Sequence, residues 1–223
     1  MAPSHLLSPG GATHVLLDAN VLLPPRLSDI LFDLCLEGLF WARWSAEIEA
    51  EFLRNWPKVA IGARGTRSTQ QAAAEAVKAG KRLRSYKRAV PGHEIIGHEA
   101  PPVLDRVPTA VSVGDRHVAA AASVVLDLAL QDNADDKVII VSSYLKDLAV
   151  PDMRRLDIQV VAPGKFIDSL TRADSARVGS ALERCVNSLK RPRYTRVRLL
   201  EALQVHGALA TARHFATAWG VKV

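Results

Sequence analysis

The stretch "KVIIVSS", residues 137–143, decides the fold class. Four β-branched residues in unbroken succession, Val138 to Val141, form a strand apolar on both faces, the condition of a strand inside a parallel sheet. Two other segments share the pattern: "HVLLDAN" (14–20), where Val15 to Leu17 read as a short buried strand ended by Asp18, and "DIQVVAPGKFI" (157–167). Helical periodicity fills the intervals. "SDILFDLCLEGLF" (28–40) places Ile30, Leu31, Leu34 and Leu36 on an amphipathic helix, with Ser28 as expected cap and Gly38 as stop. "LFWARWS" (39–45) reads as a short strand or extended link, and Ser45 caps the helix "SAEIEAEFLRNW", which Pro57 is expected to end.

Further along, Gly62, Gly65 and Gly80 break residues 60–88 into a loop and a helix containing "TQQAAAEAVKA". "RAVPGHEIIGHEAPPVLDRVPTAV" (88–111) is punctuated by proline and glycine and reads as an irregular connection. It leads to "VGDRHVAAAASVVLDLAL" (113–130), an alanine-rich core helix starting around Asp115. Strands alternating with helices imply an α/β fold built on a central parallel β-sheet flanked by α-helices. Beyond about residue 170 the chain is helical only, in "SARVGSALERCVNSL" and "RVRLLEALQVHGALATARHFATAW", joined by the basic link "KRPRYT". The expected organisation is a domain over 13–168 and a basic C-terminal helical extension over 169–223.

With 223 residues, 48% of them hydrophobic, the chain can bury one sizeable core. No apolar run approaches the roughly 20 residues of a membrane span, and the N-terminus lacks the pattern of a secretion signal, so a cytoplasmic protein is expected. Cys35 and Cys185 lie far apart outside any CxxC pattern, which argues for buried thiols rather than a disulfide or thiolate zinc site. The net charge of +6 is unevenly spread: residues 1–53 and 89–170 carry −5 each, residues 54–88 carry +9 and 171–223 carry +7. Acidic segments alternating with strongly basic ones suit a carboxylate-lined centre flanked by phosphate-binding surface, although solvated helix faces would give the same count.

Ligands of open parallel sheets bind outside the carboxyl ends of the strands. Asp18 ends the first strand, Asp147 follows "KVIIVSS" by a few residues, Asp115 opens the alanine-rich helix, and Glu51 lies one turn after Glu47. Several carboxylates with water would hold Mg²⁺ or Mn²⁺, ions that take hard oxygen ligands and activate water beside a phosphodiester. Singly, Asp18 could cap a turn with Asn20, Asp115 could be a helix cap, and Glu47, Glu49 and Glu51 could be exposed charges, Glu49 pointing away from the other two.

Taken in order, "VLLDANVLLPP", "RWSAEIEAEFLRNW", "GDRHVAAAA" and "VIIVSSYLKDL" resemble the successive motifs of PIN-domain proteins, and most closely the VapC-type toxin components. The resemblance spans roughly residues 13–168, and the basic helical tail is similar to extensions in one branch of that family. It implies a PIN-like fold gathering acids around one or two Mg²⁺ or Mn²⁺ ions, and RNA as substrate. On it, Asp18, Glu51 (with Glu47 as fallback), Asp115 and Asp147 match the family's metal-binding acids, and Asn20 matches the polar residue after the first. Tyr144, Leu148 and Ser142 depart from the usual asparagine or aspartate, aromatic and threonine, and Gly114 stands where relatives tend to place a second aspartate. The resemblance also implies a cognate antitoxin protein that covers the site, and frequent homodimerisation.

The function expected is a metal-dependent endoribonuclease, the roles being metal binding for the four acids and contacts to substrate or ligands for Asn20 and Ser142. Arg54, Lys58, Arg64 and Arg67 would hold the RNA backbone. Two readings from other classes compete: a catalytically degenerate PIN-like RNA- or protein-binding module, and a DNA-binding helix-turn-helix in the last two helices. His117 could act as a general acid, His93 and His98 could begin a zinc site, and one of Trp41, Trp44 or Trp56 could stack on a base, though packing is the commoner role for each type.

Overall fold

The computed structural model describes residues 11–61, 68–188 and 194–222. Strand β1 (Thr13–Leu17) runs into a short helix α1 (Ala19–Leu22), then α2 (Pro25–Leu36), β2 (Trp41–Ser45) and α3 (Ala46–Ile61). Helix α4 (Thr69–Ala89), the two-residue β3 (Glu94–Ile95), α5 (Pro101–Leu104), α6 (Arg116–Asp132) and β4 (Lys137–Val141) follow. The chain closes with α7 (Val150–Arg155), β5 (Ile158–Val161), α8 (Pro163–Ala173), α9 (Ser175–Ser188), α10 (Arg196–Val205) and α11 (Leu209–Trp219). All strand pairs are parallel, in the order β3-β2-β1-β4-β5.

The apolar runs read as strands are the sheet's centre. Val15, Leu16 and Leu17 of β1 are fully buried, and β1 pairs with β2 on one side and β4 on the other. The chain crosses from β1 to opposite sides of the sheet, so a crevice opens at the carboxyl end of β1, where strand order reverses. Register does the rest: Leu17 pairs with Val141, so the next residues, Asp18 and Ser142, leave the sheet side by side. Helix α6 packs on β1 and β4. Ala119 to Ala122 are all solvent-inaccessible, and their small side chains let the helix lie close to the sheet, carrying Asp115 to the same end.

Four local expectations need correction. Ser28 does not cap α2; the helix starts three residues earlier with proline in its first turn, and Ser28 lies inside it, donating to the carbonyls of Pro24 and Pro25. Pro57 does not end α3, which continues to Ile61. The turn around it is exposed at Leu53, Arg54 and Lys58, where water can take over from the hydrogen bond that proline removes. Gly80 sits within α4 rather than breaking it, since a capping box between Ser68 and Gln71 and packing of Ala79, Leu83 and Tyr86 hold the helix through the glycine. The connection 88–111 contains β3, which is too short to show a period. By contrast Ser45 caps α3, accepting from the Ile48 N–H at 3.4 Å, and Cys35 and Cys185 are separate buried thiols.

The C-terminal helices pack onto the body. Arg177 donates to the Glu37 carbonyl at 2.6 Å and Arg184 pairs with the Glu37 carboxylate, fixing α9 on α2. Asp168 of α8 is buried and accepts from the Thr211 N–H and hydroxyl, both at 2.8 Å, and from the Ala210 N–H at 3.3 Å, so one helix's carboxylate caps another's start. The first turn of α11, the part a helix-turn-helix would offer to bases, is thus docked on α8. Gly164 makes this approach feasible: a Cβ there would lie 2.2 Å from the Gly207 carbonyl carbon.

Two glycine substitutions should therefore differ in sign. Gly164→Ala is expected to lower the unfolding free energy by about 2 kcal/mol, because the clash is with backbone that cannot rotate away. Gly80→Ala, whose nearest contact would be the Arg84 guanidinium at 3.5 Å, should raise it by about 0.5–1 kcal/mol. Urea unfolding of both variants checks the pair.

Candidate functional site

Asp18 is the centre of the crevice. Its N–H donates to the Val141 carbonyl at 3.2 Å, and its own carbonyl accepts from Val21 and Leu22, so the residue closes the strand and starts α1 in one step. The side chain is 2% exposed. Ser142 Oγ donates to Asp18 Oδ2 at 2.7 Å, and Asn20 Nδ2 donates to the same oxygen and to Ser142 Oγ, the latter at 3.0 Å. Asn20 is itself held by the Ser143 N–H at 2.8 Å, and Ser142 Oγ accepts from the Tyr144 N–H at 3.0 Å. Both side-chain donors converge on Oδ2, which fixes the carboxylate while Oδ1 takes no side-chain hydrogen bond among the described residues.

Burial lifts the Asp18 carboxyl from its ordinary 3.8 to about 6; the Ser142 hydrogen bond opposes this, and the charges of Glu51 and Asp115 add to it. Asp18 therefore lies within reach of the charges of Glu51 on α3 and Asp115 at the start of α6. Glu51, Asp115, Glu47, Arg54, Gly114 and His117 line a cleft of about 450 Å³ next to Asp18. Asp115 ends a short 3₁₀ turn and accepts from Ser112 Oγ. Ser112 in turn donates its N–H to the Asp147 carbonyl at 2.8 Å.

The sequence-derived residues separate on these contacts. Asp18, Glu51 and Asp115 come together, with Asn20 and Ser142 behind Asp18. Asp147 is half-buried in a 3₁₀ turn and joins the group through its main chain; it is neither in the cleft lining nor among the charges that act on Asp18. Arg54 lines the cleft, Lys58 donates to Asn55 at 2.9 Å one turn away, and Arg64 and Arg67 lie outside the described residues. Much of the charge on α4 is used internally: Arg82 binds Asp29 at 2.6 Å, Lys87 binds Glu49 at 3.0 Å and Lys78 binds Glu75 at 2.5 Å. Glu49 does point away, taking Trp44 Nε1 and Lys87.

Trp44 and Trp56 are buried and stack in the core, Trp44 on His93. The exposed ring beside the site is Tyr144, 59% exposed and two residues after Ser142. Its sequence signals are its place just after the strand and its departure from the asparagine or aspartate that the resemblance implies there. Glu47 belongs to a second group: one ligand atom from each of Glu47, His98 and Glu99 lies within 4.8 Å of the others. Burial works against ionising Glu47, but hydrogen bonds from Glu99, its own backbone and Ser45 and the His98 imidazole hold it below the usual carboxylate range. Glu99 is raised by its hydrogen bond to Glu47 and by the Glu47 charge. His117 shares the main cleft, its Nε2 3.8 Å from Glu51 Oε2; its position two residues after Asp115, near one face of α6, is the sequence signal for it.

A family model described as the VapC50 C-terminal domain matches residues 163–216. No curated protein and no solved structure is significantly similar to the chain. The match covers only the C-terminal helices, from the start of α8 into α11, the segment that Gly164 and Asp168 lock together. Ahead of it stands the five-stranded parallel sheet with flanking helices, a PIN-like arrangement with acids at its carboxyl end. The C-terminal helices are thus similar to the VapC50 C-terminal domain, and they follow a PIN-like parallel sheet.

Proposed function

We propose that this protein is a Mg²⁺- or Mn²⁺-dependent endoribonuclease and the toxin of a type II toxin–antitoxin pair. The observation that carries the reading is the convergence of three acids from three parts of the chain, with Glu51 and Asp115 placed so that their charges add to the burial that raises the Asp18 carboxyl. Such an arrangement is costly by itself and is relieved by a cation. The donor set fits a hard divalent ion: carboxylate oxygens, one of them oriented by Ser142 and Asn20 with an oxygen left over, beside a cleft of about 450 Å³. When bound, such an ion neutralises charge on a phosphodiester and makes water a better nucleophile.

The chain's own residues set the rest. Ser142 and Asn20 keep the Asp18 carboxylate in one rotamer. Arg54, on the cleft wall, would meet a phosphate, and Lys58 extends the same face of α3. Tyr144 offers an exposed ring on which an unpaired base would stack, a role expected of Trp41, Trp44 or Trp56. Asp147 would complete the metal set by a movement of its turn, or serve as support through Ser112. The antitoxin would cover this same cleft. Residues 13–168 would form the nuclease domain and 169–223 the extension that braces α2.

Asp18→Asn and Asp115→Asn should each reduce Mg²⁺-dependent cleavage of single-stranded RNA by at least about 100-fold, and Ser142→Ala by about 10–100-fold, in a gel assay of purified protein. Wild-type rates in both aspartate variants would refute the proposed centre. A degenerate binding module would instead show no Mn²⁺ binding by titration calorimetry. Co-purified antitoxin from a neighbouring gene should suppress cleavage.

The pH dependence of stability has a definite sign. Asp18 titrates near 6 in the folded, metal-free protein and near 3.8 when unfolded, so the folded state binds the proton more tightly. Its contribution favours folding at low pH and falls as pH rises from about 4 to about 6, by ~3 kcal/mol in all. Asp18→Asn should therefore stabilise the metal-free protein at pH 7 and flatten this part of the profile, measured by thermal unfolding in chelator. Mn²⁺ should stabilise wild type at pH 7 and leave Asp18→Asn unchanged.

A further inference from the structure

Four histidine ring nitrogens among the described residues are closed off from solvent without a hydrogen-bond partner: His14 Nδ1, His93 Nε2, His98 Nδ1 and His117 Nε2. In three of these rings the other nitrogen is anchored. His14 Nε2 meets Asp136 at 3.0 Å, His93 Nδ1 meets the Val90 carbonyl at 2.9 Å, and His98 Nε2 meets Glu47 at 2.6 Å. His117 differs: among the described residues neither of its nitrogens makes a hydrogen bond, although it stands in a cleft lined by acids. A buried polar atom left unsatisfied at a functional cleft calls for a missing partner.

The geometry points to His117 as a nitrogen ligand of the divalent ion held by Glu51 and Asp115, which makes the centre prefer Mn²⁺ to Mg²⁺. This rests on the metal centre proposed above and adds a donor to it. The Nε2 of His117 is 3.8 Å from Glu51 Oε2, too far for a hydrogen bond, yet a separation that two bonds of about 2.1 Å to one ion span. His117 and Asp115 flank Arg116 on the first turn of α6, and both line the cleft with Glu51 of α3. All three donors therefore come from elements that the core holds rigidly. The chemical consequence follows from the donor type: Mg²⁺ takes oxygen ligands and keeps its waters, whereas an imidazole favours first-row transition ions. An all-carboxylate centre would have no such bias.

The Glu47–His98–Glu99 group is the other place where a histidine could meet Mn²⁺, and the test separates them. Full-length protein loaded with one equivalent of Mn²⁺, with natural and with ¹⁵N-labelled histidine, is examined by electron spin-echo modulation, and Mn²⁺ and Mg²⁺ affinities are measured by calorimetry. Wild type should show a histidine nitrogen coupling that changes with the label. His117→Ala should lose it and bind Mn²⁺ about 10-fold more weakly with Mg²⁺ affinity nearly unchanged, while His98→Ala keeps it. His117→Gln, which preserves bulk and supplies an oxygen, should abolish the preference for Mn²⁺ without unfolding the protein.

A coupling that survives in His117→Ala, one that vanishes in His98→Ala, or equal losses of Mn²⁺ and Mg²⁺ affinity would overturn the assignment. Mn²⁺ binding that depends on Asp115 but carries no nitrogen coupling would overturn it while leaving the carboxylate centre standing. Binding that is unchanged in Asp18→Asn and Asp115→Asn, or no Mn²⁺ binding at all, would overturn both.

Discussion

The parallel pairing of β1 with β4, in the register that sets Leu17 opposite Val141, is the constraint on which the cleft depends. It fixes Asp18 and Ser142 as neighbours where the two strands stop, so one hydroxyl can orient the carboxylate and one asparagine can bridge both. A slip of one residue would turn the buried side chains of both strands to the opposite face and part Asp18 from Ser142. The register is held at the other end too, where Asp136 accepts from the Ala12 N–H at 2.6 Å and meets His14. Core packing and site geometry are thus fixed by one set of backbone hydrogen bonds.

Around that point the molecule tolerates electrostatic stress, as it also does at Asp33, whose carboxyl burial likewise lifts to about 6. Many acids on the body face a cation or a donor: Asp29 has Arg82, Glu49 has Lys87 and Trp44, Glu37 has Arg184, and Asp168 has the start of α11. Asp18 instead faces Glu51 and Asp115 from within the core. Most proteins would not keep three such acids together without a charge to balance them, and the local hydrogen bonds to Oδ2 only partly offset the burial. The same contrast explains the basic segments: on α4 and α9 several arginines and lysines serve the fold, so the high positive charge of those stretches overstates what is left for a ligand.

Much of the architecture was legible in the chain. The runs at 15–17, 138–141 and 158–161 have the composition of strands buried on both faces, and the alanine-rich stretch after Asp115 has that of a helix pressed against a sheet. The helix caps were less legible. Ser28 looks like a cap, but the proline pair before it starts the helix sooner; Pro57 looks like a terminus, but the exposed turn around it lets the helix continue. Local residue preferences set those boundaries only when nothing larger competes. The tryptophans illustrate the same point from another side, since an aromatic near the site was foreseen but burial in the core claimed Trp44 and Trp56, leaving Tyr144 at the surface.

The sequence by itself determined the fold class, the acids at the strand ends and the helical tail, because periodicity and residue chemistry are properties of short segments. Only the tertiary structure decided which acids meet. Asp18, Glu51 and Asp115 are up to 97 positions apart and meet because α3 and α6 converge on one end of the sheet, while Asp147, close to β4 in sequence, is turned to a structural contact with Ser112. His117 and His98 stood out in the chain, but their meetings with Glu51 and with Glu47 come from packing. Proximity across a fold is set by register and helix placement, and those depend on the whole core.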